Sequence, residues 1–168
     1  MEKRLSTIMA IAATLSMIFI AGPVMAGDSA TQTANYEVTA INEINIDDES
    51  ITLTVNSATA GQAPDQASAG STYDITTNVT TGSTKKITAA INEAMPAGVT
   101  LKINVTAPTT GTTAGATTLT ADAVDVVTAI SAVAQADIAI GYTLDATVAA
   151  GVVSSAGKTL TLTIADTI

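Results

Sequence analysis

Apolar side chains recur at every second position through much of the chain beyond residue 34, and threonine fills many of the places between them. Such period-two alternation marks strands with one buried face and one wet face. Threonine fits this pattern because its branched Cβ restricts its rotamers and suits a pleated surface. The first strand is expected over 35–46, "NYEVTAINEINI". Tyr36, Val38, Ala40, Ile44 and Ile46 share one side of it, interrupted only by Asn42. The other side carries Asn35, Glu37, Thr39, Glu43 and Asn45, with Ile41 the one apolar exception. A second strand is expected over 50–57, with Ile51, Leu53 and Val55 inward, joined to the first as a hairpin through Asp47, Asp48 and Glu49.

Further strands are expected over 71–79, 84–94, 99–107, 116–122, 137–148 and 158–166. Their inward rows include Tyr73, Ile75 and Thr77; Ile87, Ala89 and Ile91; Leu101, Ile103 and Val105; Ile138, Ile140 and Tyr142; and Leu160, Leu162 and Ile164. The breaks between them carry turn residues: a longer loop at 59–70, tight turns at 81–84 and 95–98, and a small-residue loop at 108–115. Segment 122–136 fits two periods, with Val126, Ile130, Val133 and Ala134 near helical spacing and Val124, Val126, Thr128 and Ile130 on one strand face. β-Branched crowding disfavours the helix, so a strand through about Ile130 followed by a short turn or helical turn is expected.

Short alternating strands with small-residue turns predict an all-β fold, an antiparallel Ig-like β-sandwich of about 7–9 strands. A closed barrel is the alternative. The first 26 residues read differently: Lys3 and Arg4, an uncharged and mostly apolar stretch, Gly22-Pro23, then small residues ahead of Gly27. This is the form of a secretory signal peptide, with a retained anchor as its alternative. The organisation expected is therefore a signal at 1–26, a flexible polar lead at 27–34, and one sandwich domain at 35–168. The expected location is secreted, extracellular or at the cell surface, with the periplasm as another exported compartment.

Composition narrows the chemistry. The chain has a net charge of −9, no Cys and no His. Loss of the signal removes Glu2, Lys3 and Arg4 and makes the rest more acidic still. An acidic surface with so few bases argues against nucleic-acid binding, which rests on Lys and Arg contacts to phosphate, and against docking on an anionic membrane once the signal is gone. Without Cys no disulfide staples an exported chain, so packing and backbone pairing must hold it. No His or Cys is available as base, nucleophile or soft ligand, and no phosphate loop, nucleophile elbow or zinc spacing occurs. The expectation is a protein that is not an enzyme and takes no cofactor.

Smaller features have plain readings. Asp47, Asp48 and Glu49 offer hard oxygens for calcium or form a solvated hairpin turn. Asn78 and Asn104 each begin an Asn-X-Thr acceptor sequence for a glycan. Lys85 and Lys86 suit an edge strand, where lysines oppose unwanted pairing. Tyr36, Tyr73 and Tyr142 lie on apolar strand faces and are expected in the core.

The polar lead "GDSATQTA", the alternating "YEVTAINEINI", the "KKITAAI" strand and the terminal "TLTLTIAD" together carry a resemblance. The chain resembles exported Ig-like pilin and fimbrial subunits assembled by donor-strand exchange, especially the colonisation-factor class of chaperone–usher fimbriae, and the β-sandwich subunits of some bundling pili. The resemblance implies a homo-oligomer or filament built through strand pairing, with an export chaperone as a further partner. In such subunits an N-terminal strand of one copy fills a groove in the next; here Tyr36, Val38, Ala40, Ile44 and Ile46 would be the plugs. The competing expectation is a monomeric extracellular adhesin or carbohydrate-binding module using loops 59–70 and 108–115.

Overall fold

The computed structural model describes residues 29–80 and 84–167. The expected signal at 1–26 and most of the turn at 81–84 lie outside the described residues. The chain divides into two units, Met1–Glu37 and Val38–Ile168. The second holds all nine strands found among the described residues: β1 (Asn42–Ile46), β2 (Ala67–Thr77), β3 (Lys85–Ile91), β4 (Val99–Val105), β5 (Thr112–Thr113), β6 (Ala116–Thr118), β7 (Val124–Ile130), β8 (Val133–Ala146) and β9 (Leu160–Asp166).

The strands form two antiparallel sheets, ordered β1-β2-β8-β4-β6 and β5-β7-β3-β9. The long β2–β8 pair is the spine of the first sheet, running from Ala67 opposite Leu144 to Thr77 opposite Val133. In the second, β3 is central, with β9 in register on one side from Lys85–Asp166 to Ile91–Leu160. The inward rows of both sheets meet in one core. Tyr73, Ile75, Ile103, Val105, Ile138, Ile140 and Tyr142 come from the first sheet; Ile87, Ala89, Ile91, Val126, Val127, Ile130 and Leu162 from the second. Burial of such side chains is the main favourable term, about 1.5–3 kcal/mol for each large one. The all-β, antiparallel sandwich expected from the alternation is the fold observed.

Several local expectations are corrected. The strand expected over 35–46 is a strand only from Asn42 onward. Residues 50–57 make no hairpin with it and belong to neither sheet. β2 begins at Ala67, inside the expected 59–70 loop. β7 runs to Ile130 as expected, and the link that follows, 131–132, is the short turn rather than the helical one, since Val133 already begins β8.

The two competing periods of segment 122–136 trace to β-bulges. Val126 and Val127 are consecutive and both fully buried, and the β3–β7 register shifts twice beside them. Ala129, with φ of 56°, takes up the extra residue in a left-handed conformation. A bulge breaks the period of two, so no single template fits the segment.

Lys85 and Lys86 sit on the central strand β3 rather than on an edge. Each crosses to a neighbouring strand, Lys85 to Asp166 and Lys86 to Asp125. Gly98, at φ of 78°, makes the turn into β4; a Cβ there would lie 2.7 Å from Thr147 Oγ1. That contact and the positive φ both call for glycine.

Candidate functional site

Tyr36, Val38, Ala40, Ile44 and Ile46 fall into two groups. Ile44 pairs with Ile75 and Ile46 with Tyr73, and both half-buried isoleucines pack against the core. They complete the fold of their own chain. Ala40 is exposed, Val38 is 79% exposed and Tyr36, in the leading unit, is 94% exposed. Tyr36 is therefore not the core tyrosine expected, whereas Tyr73 and Tyr142 are buried.

Polar side chains mark the boundary between the two groups. Asn42, the interruption in the apolar row, accepts a hydrogen bond from Thr77 Oγ1 at 2.8 Å. Asn78 then stands where the next ladder residue would. Its Oδ1 accepts from Ile41 N–H at 2.8 Å, and its Nδ2 donates to Thr39 C=O at 2.8 Å. An amide side chain carries N–H donors and a C=O acceptor as a peptide group does, so beside its own N–H, which donates to Ile41 C=O at 3.3 Å, Asn78 carries the pairing on to Thr39 with its side chain. Both of its polar atoms are engaged. Asn104, the other glycan-acceptor asparagine, is exposed on β4.

The chain beyond β1 forms a second unusual feature. Along 51–56 the side chains alternate between half-buried and exposed, and Ile51 and Leu53 pack on the core. The ribbon has the burial of a strand, yet among the described residues no backbone hydrogen bond involves 50–56. The first bond comes at Ser57, whose C=O accepts from Asp65 N–H. A second stretch, 152–158, likewise forms no backbone hydrogen bond among the described residues.

Two grooves open between these stretches. One, of about 590 Å³, has Ser50, Ile51 and Leu53 on one wall and Ala156, Gly157 and Lys158 on the other. Its lining includes Ile46, Leu101, Tyr142 and Leu160. The other, of about 810 Å³, continues from Leu53 through Ser57, facing Val153 through Ala156. Burial raises the pKa of the Tyr142 hydroxyl, with a smaller contribution from the Asp48 carboxylate. Lys158 donates to Glu93 at 2.9 Å and holds that carboxyl below its usual range.

The acidic stretch after β1 is rearranged relative to expectation. Asp47 is brought together with Asp74 and Asp137, not with Asp48 and Glu49; their carboxylate oxygens lie within 4.8 Å of one another. A bulge places two of them. The β2–β8 register shifts between Tyr73 and Ile75, Asp137 has φ of 55°, and its N–H donates to Asp74 Oδ1 at 3.0 Å. Asp47 is held by Thr72 and Asn45. Such oxygens suit a hard cation, and exposed carboxylates of this kind equally serve as a solvated surface. The sequence offered no signal for the trio, because its members lie on three separate segments.

Comparisons with protein-family models, with curated proteins and with solved structures find no match for this chain.

Proposed function

We propose that this protein is an exported structural subunit of the cell surface, assembling into a pilin-like filament or matrix by β-strand addition. The observation that carries the reading is the division of its first alternating segment. Ile44 and Ile46 close the chain's own sheet, while Val38 and Ala40 stand exposed with no ladder partner among the described residues. An alternating apolar ribbon left in water favours pairing with another chain. Main-chain hydrogen bonds supply affinity in such pairing, and alternate side chains supply specificity. The acidic composition opposes indiscriminate association, leaving shape-matched pairing as the route to order. Export is supported by the form of residues 1–26.

The test is the full chain expressed with its leader, so that processing is native, followed by light scattering and electron microscopy across concentration. Filaments or ladders that disappear in Val38→Asp are the expected result. A species that stays monomeric at every concentration would overturn the reading.

A further inference from the structure

We infer that the cleft between the two sheets beside Ile46 is a binding site for an aliphatic amine, its hydrocarbon body laid on the core and its ammonium held by Tyr142, Asp48 and Glu49. The inference is independent of the assembly reading above. The cleft, of about 590 Å³, draws on both sheets. Ile46, Ser71, Leu101 and Tyr142 bring β1, β2, β4 and β8 of the first sheet to it, and Ile91 and Leu160 bring β3 and β9 of the second. Ile91 and Tyr142 are only 2% and 4% exposed, so this lining is core rather than outer surface. An apolar cleft of such size with a few converging polar groups is the usual form of a small-molecule site.

Two hydroxyls in the lining lack the partners that buried hydroxyls ordinarily have. The two buried tyrosines differ. Tyr73 donates to Thr106 C=O at 2.8 Å, whereas the Tyr142 hydroxyl forms no hydrogen bond among the described residues. No fully buried side-chain oxygen among those residues is without a partner, so the Tyr142 Oη must open into the cleft that Tyr142 lines. Ser71, 9% exposed in the same lining, has only a 3.4 Å contact to Thr72 C=O. That is longer than an effective O–H···O bond. A ligand that carries a hydrogen-bonding group supplies what these hydroxyls lack.

Charge selects the polar group. Asp48 and Glu49 stand exposed at the rim of the cleft, and neither joins an ion pair among the described residues. Lys158, the one cation in the lining, is already taken by Glu93 at 2.9 Å. The Asp48 carboxylate is near enough to the Tyr142 hydroxyl to add to burial in raising its pKa. A carboxylate or phosphate group would meet like charge there. An ammonium meets opposite charge and has three N–H donors, which suit the Tyr142 Oη lone pairs and the two carboxylates. The aliphatic surface of Ile46, Ile91, Leu101 and Leu160 selects the rest of the ligand, because an alkyl chain laid on it leaves water.

The probe is n-octylammonium, kept below its micelle concentration and titrated calorimetrically into the full chain expressed with its leader, with methyl NMR reporting the residues it reaches. Saturable one-to-one binding that shifts the Leu101 and Leu160 methyls is expected. n-Octanol should bind about tenfold more weakly, and n-octanoate not at all. Tyr142→Phe and Asp48→Asn should each weaken octylammonium by about tenfold, the loss of one hydrogen bond to a charged group. Glu43→Gln, exposed on β1 outside the cleft, should change nothing. Asp48 is itself exposed, so its variant tests the site even where Tyr142→Phe perturbs the fold. Octylammonium affinity that is indifferent to both Tyr142→Phe and Asp48→Asn is general attraction to an acidic surface and overturns the site. Octanoate binding as tight as octylammonium overturns it too, as does the absence of saturable binding, which leaves solvent alone on the Tyr142 hydroxyl.

Discussion

β4 and the ribbon at 51–57 read alike in sequence, each a short run of aliphatic residues alternating with polar ones, and each turns its apolar side toward the same core. β4 lies between β8 and β6, with hydrogen-bonded neighbours on both sides. Over 51–56 the ribbon has none among the described residues, and only at Ser57 does its C=O accept from Asp65 N–H. Hydrophobic alternation chooses which face a segment buries. It does not choose a ladder partner, which comes from the geometry of neighbouring edges. The difference divides the molecule into a closed part around the β2–β8 spine and an open flank around the ribbon.

The largest effect should separate these parts directly. Ile103, fully buried on β4, loses its packing in Ile103→Ala, and urea unfolding should register a loss of about 2–5 kcal/mol. Leu53→Ala, in the half-buried ribbon, should cost less than half of that and leave the cooperativity of unfolding unchanged. Equal losses at the two positions would mean that the ribbon is as firmly built in as β4.

Alkaline pH probes the closed part through Tyr73. Its hydroxyl donates to Thr106 C=O at 2.8 Å, and burial pushes its pKa from 10.0 up to about 12. The folded form keeps its proton at pH values where the unfolded form has lost it. Stability from this group is therefore complete below about pH 10 and falls as pH rises toward 12, and Tyr73→Phe should flatten that fall. Chemical unfolding between pH 8 and 12 measures it. Comparable alkaline loss in the Phe variant would place the sensitivity elsewhere.

The smallest effect is electrostatic. Lys102 bridges Asp145 at 2.9 Å across β4 and β8, while Gln66 also donates to Asp145. Hydrogen bonds from Gln66 and Lys102 hold the Asp145 carboxyl below its ordinary range. The pair is substantially exposed, so Lys102→Met should cost under about 1 kcal/mol and lose its effect in high salt. A larger, salt-insensitive loss would show that the spine depends on charge more than on packing.

The sequence announced the closed part well. β4, β9 and the 138–144 part of β8 contain unbroken alternations of large apolar residues, and their inward rows supply much of the observed core. It was silent where the period fails or the side chains are small. Ala67 through Gly70 extend β2, but Ala, Ser and Gly give no hydrophobic signal. The bulges at Val126–Val127 and at Asp137 shift the faces and bring Asp74 and Asp137 together, which no spacing in the chain suggests. The first segment was legible as an alternating ribbon and not as two halves. Its division depends on Asn78, a residue more than thirty positions away whose side chain takes a backbone's place.

The most direct test of strand addition is amide exchange over 36–40, compared between dispersed and assembled protein. The account predicts rapid exchange there when copies are apart and strong protection when they are joined. Assemblies in which this segment still exchanges as fast as in the dispersed protein would contradict it.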